Sequence, residues 1–179
     1  MRDFTLEAAA LEWLRYEHRC KLVTFQRGVF YSHNPDVFGV EPSRRCIEIE
    51  CKRSVGDFKA DEHKRVTQLR RLGIVNVWKF YFLVTPQIVE RVRPLLPAGA
   101  GLLTLDSDLS KYTHIHRVRC LVGAQCNAHA RRLNPREVAV AVAAQTATLQ
   151  RVLAMFCRQS LRVQNTLAPV VPPVVVVGT

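Results

Sequence analysis

The sequence predicts an α/β fold in which a mixed central sheet is flanked by helices. Three observations carry this prediction: an amphipathic helical pattern near the start, two short apolar runs that enclose a turn, and a later β-prone run that follows a second helical segment. The expected element order is α-β-β-β-α-β, followed by a short helix and a further strand.

The first helix is predicted over Thr5–His18, with Thr5 as its N-cap. Leu11 and Leu14 recur at helical spacing and mark the side that faces the core. Glu7 lies four residues before Leu11, on or beside that apolar side. A first-turn glutamate favoured by the helix dipole is the alternative interpretation of Glu7. The first strand follows over Leu22–Phe25.

A β-hairpin is predicted from the runs Val37–Val40 and Cys46–Cys51, which flank the turn-forming residues Glu41–Arg44. A turn centred on Ser43 sets the register and brings Asp36 opposite Glu50. Side chains alternate between the two faces of a strand. Glu48, Glu50 and Lys52 therefore share one face, and Ile47, Ile49 and Cys51 share the other.

Acidic side chains at Asp36 and Glu50, directly opposed across a hairpin, would repel each other unless a cation lies between them. Mg²⁺ binds oxygen ligands, commonly one or two carboxylates completed by water and phosphate oxygens. Lys52 points the same way and could orient an attacking water or neutralise developing charge. The pattern therefore predicts metal-dependent phosphodiester cleavage.

The alternative for Glu50 and Lys52 is a solvated strand face with an ion pair, because a Glu-x-Lys triplet often occurs by chance. Pro35-Asp36 ahead of the hairpin favours the functional interpretation. Glu48 would take the place of Glu50 if the register slipped, and the position of Lys52 favours Glu50.

A second helix is predicted from a cap at Ser54 or Asp57 to about Leu72. Four basic residues on or just before it are candidates for phosphate contacts: Arg53, Lys59, Lys64 and Arg65. An ordinary solvated face is the alternative for any of them. Gln68 is a further candidate to face the same cleft.

The run Val75–Val84 is the most β-prone in the chain and follows a helix, which predicts a strand parallel to the second hairpin strand in the sheet interior. Pro86–Leu96 reads as a short helix and Gly101–Leu105 as a glycine-flanked strand.

The last third of the chain is predicted to hold a strand at Ile115–Val122 and a long alanine-rich helix. The helix has Asn134 as its cap, Pro135 at its first position and Leu161 at its end. It packs on the sheet or forms a homodimer interface. Residues 1–161 are expected to form one domain, and the Pro/Val-rich residues 162–179 a disordered tail.

Zinc binding remains an open alternative for a group of histidines and cysteines in this region. The spacing is irregular for a zinc site, and a strand with incidental ligand-type residues is favoured. The residues concerned are His114, His116, Cys120, Cys126 and His129.

The 179-residue chain carries a formal net charge of +11, which favours a polyanionic partner, nucleic acid above all. The sequence offers no apolar run long enough to span a bilayer and no secretory signal, so a cytoplasmic protein with reduced cysteines is expected.

The spacing Pro35-Asp36 followed by Glu50-Cys51-Lys52 resembles the PD-(D/E)xK nuclease superfamily. Three further blocks, from Glu50 to Arg65, from Trp78 to Pro86 and from Leu95 to Asp106, resemble the MmcB-like DNA-repair branch, whose core is similar to a Holliday-junction resolvase. The first block carries the pattern Ser-x-x-Asp-Phe-x-x-Asp at Ser54–Asp61. The likeness covers about residues 5–120.

The resemblance implies a restriction-endonuclease-like fold and a deoxyribonuclease that uses Mg²⁺, with Mn²⁺ as a substitute and no organic cofactor. It implies that Asp36 and Glu50 hold the metal, that the carbonyl of Cys51 assists, and that Lys52 acts in catalysis. Many members carry a metal-binding acid on the first helix, and Glu7 is the matching residue here. Repair, recombination and the processing of mobile or phage DNA are the expected settings.

Overall fold

A computed structural model of the protein describes residues 5–25, 35–62, 76–106, 118–147 and 149–150. The chain divides into a compact unit, Met1–Gln145, and a second unit, Thr146–Thr179. The predicted domain end at residue 161 and the predicted tail lie outside the described residues.

The centre of the fold is a six-stranded sheet whose strands lie side by side in chain order. Its strands are β1 (Leu22–Phe25), β2 (Val37–Val40), β3 (Cys46–Lys52), β4 (Lys79–Val84), β5 (Gly101–Leu105) and β6 (Val118–Val122). The helices are α1 (Thr5–Tyr16), α2 (Val55–Glu62), α3 (Val89–Val92, between 3₁₀ turns at Pro86–Ile88 and Arg93–Leu95) and α4 (residues 135–147).

The sheet is mixed. Strands β1, β2 and β3 form an antiparallel meander, β4 and β5 run parallel to β3, and β6 returns antiparallel to β5. The α/β class, the hairpin and the parallel interior position of β4 are therefore confirmed. Parallel strands need a crossover connection, which brings the chain from β3 through α2 before it re-enters the sheet.

One face of the sheet is covered by α1. The buried side of this helix packs on alternate apolar residues of the strands, and two T-shaped ring contacts join Trp13 to Tyr81 and His18. The helix ends at Tyr16, two residues before the predicted end at His18. Arg19, three residues further on, has a left-handed backbone with a φ of 52°. The N–H of Cys20 then donates to the carbonyl of Leu14 and the chain turns into β1.

In the described part of the chain, two separate groups of elements cover the opposite face. Helices α2 and α3 pack on β4 and β5 through Phe58, Phe82 and Val92, among others. Helix α4 packs on the hairpin, where Leu133 and Ala141 join the apolar residues of β2 and β3. Between these two groups, the same face of β3 carries Glu48, Glu50 and Lys52 instead of apolar side chains.

Local hydrogen bonds fix the elements that border this charged stretch. In the turn between β2 and β3, Arg44 N–H donates to the Glu41 carbonyl and Glu41 N–H to the Arg45 carbonyl. The hydroxyl of Ser54 accepts from the N–H of Asp57 at 3.1 Å, so Ser54 is the N-cap of α2. The continuation of α2 toward Leu72 lies outside the described residues.

Candidate active site

Asp36 stands immediately before β2, level with Glu50 on the neighbouring strand. The observed pairs Val37/Ile49, Phe38/Glu48 and Val40/Cys46 keep the predicted register, so the hairpin aligns these two acids as expected. The Oδ2 atom of Asp36 accepts a hydrogen bond of 2.9 Å from the backbone N–H of Cys51. This bond ties Asp36 to the last residues of β3.

Glu50 and Lys52 lie on the same face of β3 and are nearly closed off from solvent. Their exposed fractions are 6 % and 3 %, and Lys52 Nζ lies 3.2 Å from Glu50 Oε2. A solvated strand face would leave both side chains exposed. Charged side chains are rarely buried this deeply unless they are paired, as these two are. The solvated-face alternative is therefore wrong for Glu50 and Lys52.

Asp61 of α2 is the second partner of Lys52. Its Oδ1 atom lies 3.1 Å from Lys52 Nζ, and the residue is 1 % exposed. Sequence reasoning noted Asp61 as part of a pattern but did not assign it to the site. The available signal was its position three residues after Phe58, which places both side chains on the same side of α2. We call Asp36, Glu50, Lys52 and Asp61 the β3 site.

The electrostatics of the β3 site are dominated by a surplus of acid. Burial, aided by the charges of Glu48, Asp36 and Asp61 and opposed by that of Lys52, raises the pKa of Glu50 to about 8. For Lys52, burial acts to lower the pKa, but Glu50 and Asp61 outweigh it and the pKa is raised. The Lys52 ammonium is therefore firmly protonated between the carboxyl groups of Glu50 and Asp61.

Glu48 is fully buried and one step along the same strand face, paired in register with Phe38 of β2. Lys52 Nζ bonds Glu50 and Asp61, whereas Glu48 acts on Glu50 through its charge. Glu50 is therefore the partner of Lys52, as predicted, and Glu48 is a neighbouring acid on the same face.

Glu7 and Arg53 form an ion pair on the α1 side of the sheet. Arg53 Nη2 lies 2.6 Å from Glu7 Oε2, and Nη1 lies 3.3 Å from Oε1. Strand alternation places Arg53 on the face opposite Glu50 and Lys52. Glu7, predicted as a metal ligand, and Arg53, predicted as a phosphate contact, therefore bind each other in this structure.

Cys51 lies between Glu50 and Lys52 in β3, and its side chain points to the other face of the sheet. Its thiol is buried on the α1 side, and burial raises its pKa well above the ordinary value, with Asp36, Glu7 and Glu50 adding to the effect. Three acids from α1, the β2 approach and β3 therefore converge electrostatically on the end of this one strand.

Of the other predicted nucleic-acid contacts, Lys59 is exposed on α2. Lys64, Arg65 and Gln68 lie outside the described residues, as do His114 and His116. Cys120, Cys126 and His129 are exposed, each in or after β6.

The residues of the β3 site fit a hard divalent cation. Among the residues that the structure describes, no three His, Cys, Asp or Glu side chains are grouped closely enough to form a complete protein-only metal site. Mg²⁺ does not require one, since it keeps several waters and commonly takes one or two carboxylates. Asp36 and Glu50, with the Cys51 carbonyl, supply that smaller set, and the surplus of buried acid favours a cation nearby.

The comparisons with known proteins bear on the fold alone. Neither any family model nor any curated protein matches the chain. A solved structure of a protein of unknown function from Silicibacter pomeroyi is similar, with a TM-score of 0.55 and 22 % sequence identity over 88 % of each chain. No helix within the described ranges has the length and apolar character needed to cross a bilayer.

Proposed function

We propose that this protein is a Mg²⁺-dependent deoxyribonuclease with a restriction-endonuclease-like core, related to the PD-(D/E)xK nucleases. The observation that carries the proposal is the β3 site itself. Two opposed carboxylates and a buried, doubly paired lysine meet at the carboxyl end of a central strand, in the register that the sequence predicts.

Each residue of the β3 site has a role in the proposed reaction. Asp36 and Glu50 would hold Mg²⁺, or Mn²⁺ in its place, and the bound cation would polarise the phosphate and lower the pKa of a water. Lys52 would orient that water and offset the negative charge that grows on the phosphate oxygens. Asp61 would keep Lys52 protonated and fix the position of its ammonium.

Glu7 has a positioning role in this proposal. Its ion pair with Arg53 attaches α1 to the chain just beyond β3, next to the two residues that carry the chemistry. Rearrangement of this pair on DNA binding would be needed before Glu7 could act as a further metal ligand.

DNA as the substrate is supported by the net charge of +11 and by the exposed Lys59 on the helix that follows the β3 site. RNA is the competing polymer, and the same assay with an RNA duplex separates the two.

The test is a cleavage assay on supercoiled plasmid and on a four-way junction, with Mg²⁺, Mn²⁺ or EDTA. Wild type is expected to cut only with metal. Lys52→Ala and Asp36→Asn are expected to bind DNA but to cut at least 100-fold more slowly, since each removes a group acting in the transition state. Glu90→Gln removes an exposed acid on α3 and is the matched control, expected to cut like wild type.

A non-catalytic DNA-binding or repair-complex protein is the second candidate. The observation that favours it is the closed ion-pair arrangement, in which Lys52 is 3 % exposed and bonded to two acids. Tight DNA binding by wild type without cleavage in either metal would support this candidate and overturn the first.

A further inference from the structure

Four exposed arginines and the half-buried Arg45 gather at the opposite end of β3 from the β3 site. The turn after β2 contributes Arg44 and Arg45, and the segment that leads into α4 contributes Arg131, Arg132 and Arg136. We call these five residues the arginine surface.

One backbone hydrogen bond joins the two segments of the arginine surface, and two further bonds fix the second segment beside the start of β4. The N–H of Leu133 donates to the carbonyl of Arg44 at 2.8 Å, and the N–H of Arg131 donates to Asn76 Oδ1 at 2.6 Å. Asn127 N–H also donates to the carbonyl of Trp78. The segment 127–134 therefore crosses the amino-terminal ends of β3 and β4, which places its arginines beside those of the turn.

Two members of the surface are held by neighbours that fix their orientation. The guanidinium of Arg45 stacks on the Trp78 ring at 3.7 Å, and Arg131 pairs with both carboxylate oxygens of Glu137. Stacking and bidentate pairing restrict the rotamers of these two side chains. The remaining members, Arg44, Arg132 and Arg136, are exposed and extend the positive charge outward.

Arg44 adds an independent indication. Its φ is +65°, a left-handed conformation that favours glycine or asparagine at the tip of a turn. A long cationic side chain at a position that costs conformational energy suggests that the charge itself is used there.

We propose that the arginine surface binds the phosphate backbone of duplex DNA at the opposite end of β3 from the cleavage site. The choice of DNA rests on the proposed function. From Cys46 to Lys52 the strand rises about 20 Å at roughly 3.3 Å per residue. One DNA strand covers that distance in about six nucleotides at 3.4 Å each. Helix α4 packs on the sheet face that carries Glu50 and Lys52, so one duplex can follow that side of the protein to both regions.

The test measures duplex DNA binding in EDTA, where no metal-dependent cleavage intervenes, across a series of salt concentrations. The variant combines Arg44→Asn, Arg132→Gln and Arg136→Gln, three exposed positions outside the described ion pairs. The control combines Arg91→Gln, Arg93→Gln and Arg119→Gln, which are also exposed and give the same change in net charge.

The surface variant is expected to bind at least tenfold more weakly near 0.15 M salt. Its plot of log affinity against log salt should be shallower by about 2 to 3, because each lost phosphate contact removes about 0.9 from the slope. The control is expected to stay within about threefold of wild type. Equal losses in the two variants, or no loss in the surface variant, overturn the proposal.

Two further outcomes separate this inference from the nuclease proposal. If binding follows the arginine surface but wild type never cuts with Mg²⁺, the surface stands and the nuclease proposal fails. If wild type cuts and the surface variant matches it in KM as well as in affinity, the surface proposal fails alone. Tighter binding of an RNA duplex than of DNA overturns the assignment of the partner.

Discussion

Lys52 is the residue through which the charged groups of the β3 site are connected. It is buried, and its ammonium bonds one acid on its own strand and one on α2. Buried charges are costly unless they are paired and hydrogen-bonded, so this arrangement is expected to be stable only as a complete set. The two contacts also hold the Lys52 ammonium, the group proposed to orient the water, in a fixed position.

The pH dependence of stability follows from Glu50. Its pKa is raised from 4.5 to about 8 in the folded protein, first by burial and then by neighbouring acids. The folded state therefore binds more protons than the unfolded state between these values, and the metal-free protein loses stability as the pH rises through this window. Glu50→Gln is expected to remove that loss, so its free energy of unfolding should vary much less between pH 5 and pH 8.

Urea unfolding in EDTA at pH 5, 6, 7 and 8 measures this difference. Glu90→Gln, at an exposed site, serves as the control and should keep the wild-type pH dependence. A wild-type protein that gains stability over this window relative to Glu50→Gln would show that Glu50 is ionised and satisfied in the folded state.

The cysteines give a second prediction at the scale of single residues. Burial raises the pKa of Cys20 and of Cys46 to about 12, and Cys51 is buried as well. Thiolates are the reactive form, so these three should resist alkylation in the native protein. Of the five cysteines in the described residues, the exposed Cys126 should be modified first, with the exposed Cys120 slower because burial of its thiol raises its pKa.

Mass spectrometry after brief iodoacetamide treatment at pH 8 identifies the modified thiols, with a urea-unfolded sample as the reference. Rapid native modification of Cys51 would contradict the close packing of β3 against α1.

Residue chemistry alone made part of the β3 site predictable. Asp36, Glu50 and Lys52 follow from a hairpin register, which is a local property that turn residues and strand alternation determine. Asp61 was missed because its contact with Lys52 depends on how α2 packs against the sheet. The Glu7–Arg53 pair was missed for the same reason, since it joins residues 46 positions apart on two elements.

At the scale of elements, α4 begins with a reciprocal capping arrangement. The N–H of Glu137 donates to Asn134 Oδ1 at 2.9 Å, and the N–H of Asn134 donates to Glu137 Oε2 at 2.8 Å. This is a capping box with asparagine at the cap, and it confirms the predicted start of the helix. The hydrogen bonds from Arg131 lower the pKa of Glu137 to about 2, so its carboxylate is available to the cap over the whole physiological range.

Asn134→Ala is expected to lower the free energy of unfolding by about 1 kcal/mol, because one helix N–H loses its acceptor. Asn134→Gly is the matched control and should cost only a few tenths of a kcal/mol, since glycine tolerates the cap conformation. Chemical denaturation at pH 7 measures both. Equal losses in the two variants would assign the effect to something other than the cap.

Element positions were more predictable than element ends. The bounds of β1, β2 and β5 match their predicted ranges, because short apolar runs between turn residues mark strands clearly. Strand β4 begins at Lys79, four residues after the start of the predicted run. Trp78 precedes it and donates its N–H to the Cys46 carbonyl. The propensity of the residues alone does not show where the ladder begins.

At the scale of the whole molecule, the two ends of β3 differ in their charged groups. Its carboxyl end holds the buried acids and Lys52, and its amino end adjoins the arginine surface. A net charge of +11 describes the complete chain but conceals this polarity. Composition therefore predicts a polyanionic partner, whereas the proposed second DNA contact rests on the packing of the 127–134 segment on the strand ends.

Assembly remains a proposal at this scale. Val140 and Val142 of α4 are about half exposed, and the predicted remainder of the helix lies outside the described residues. A homodimer through this helix would bring two β3 sites to one DNA molecule, as cleavage of a four-way junction on two strands requires. Sedimentation equilibrium measures the mass in solution and distinguishes a monomer from this homodimer.

Direct titration of the DNA-free protein with Mn²⁺, followed by electron paramagnetic resonance, tests the central claim that the end of β3 is a metal site. Wild type should bind Mn²⁺ in competition with Mg²⁺, and Asp36→Asn and Glu50→Gln should each weaken binding at least tenfold because each removes a carboxylate ligand. Glu90→Gln should bind like wild type. Binding that is unchanged in both site variants would contradict the account.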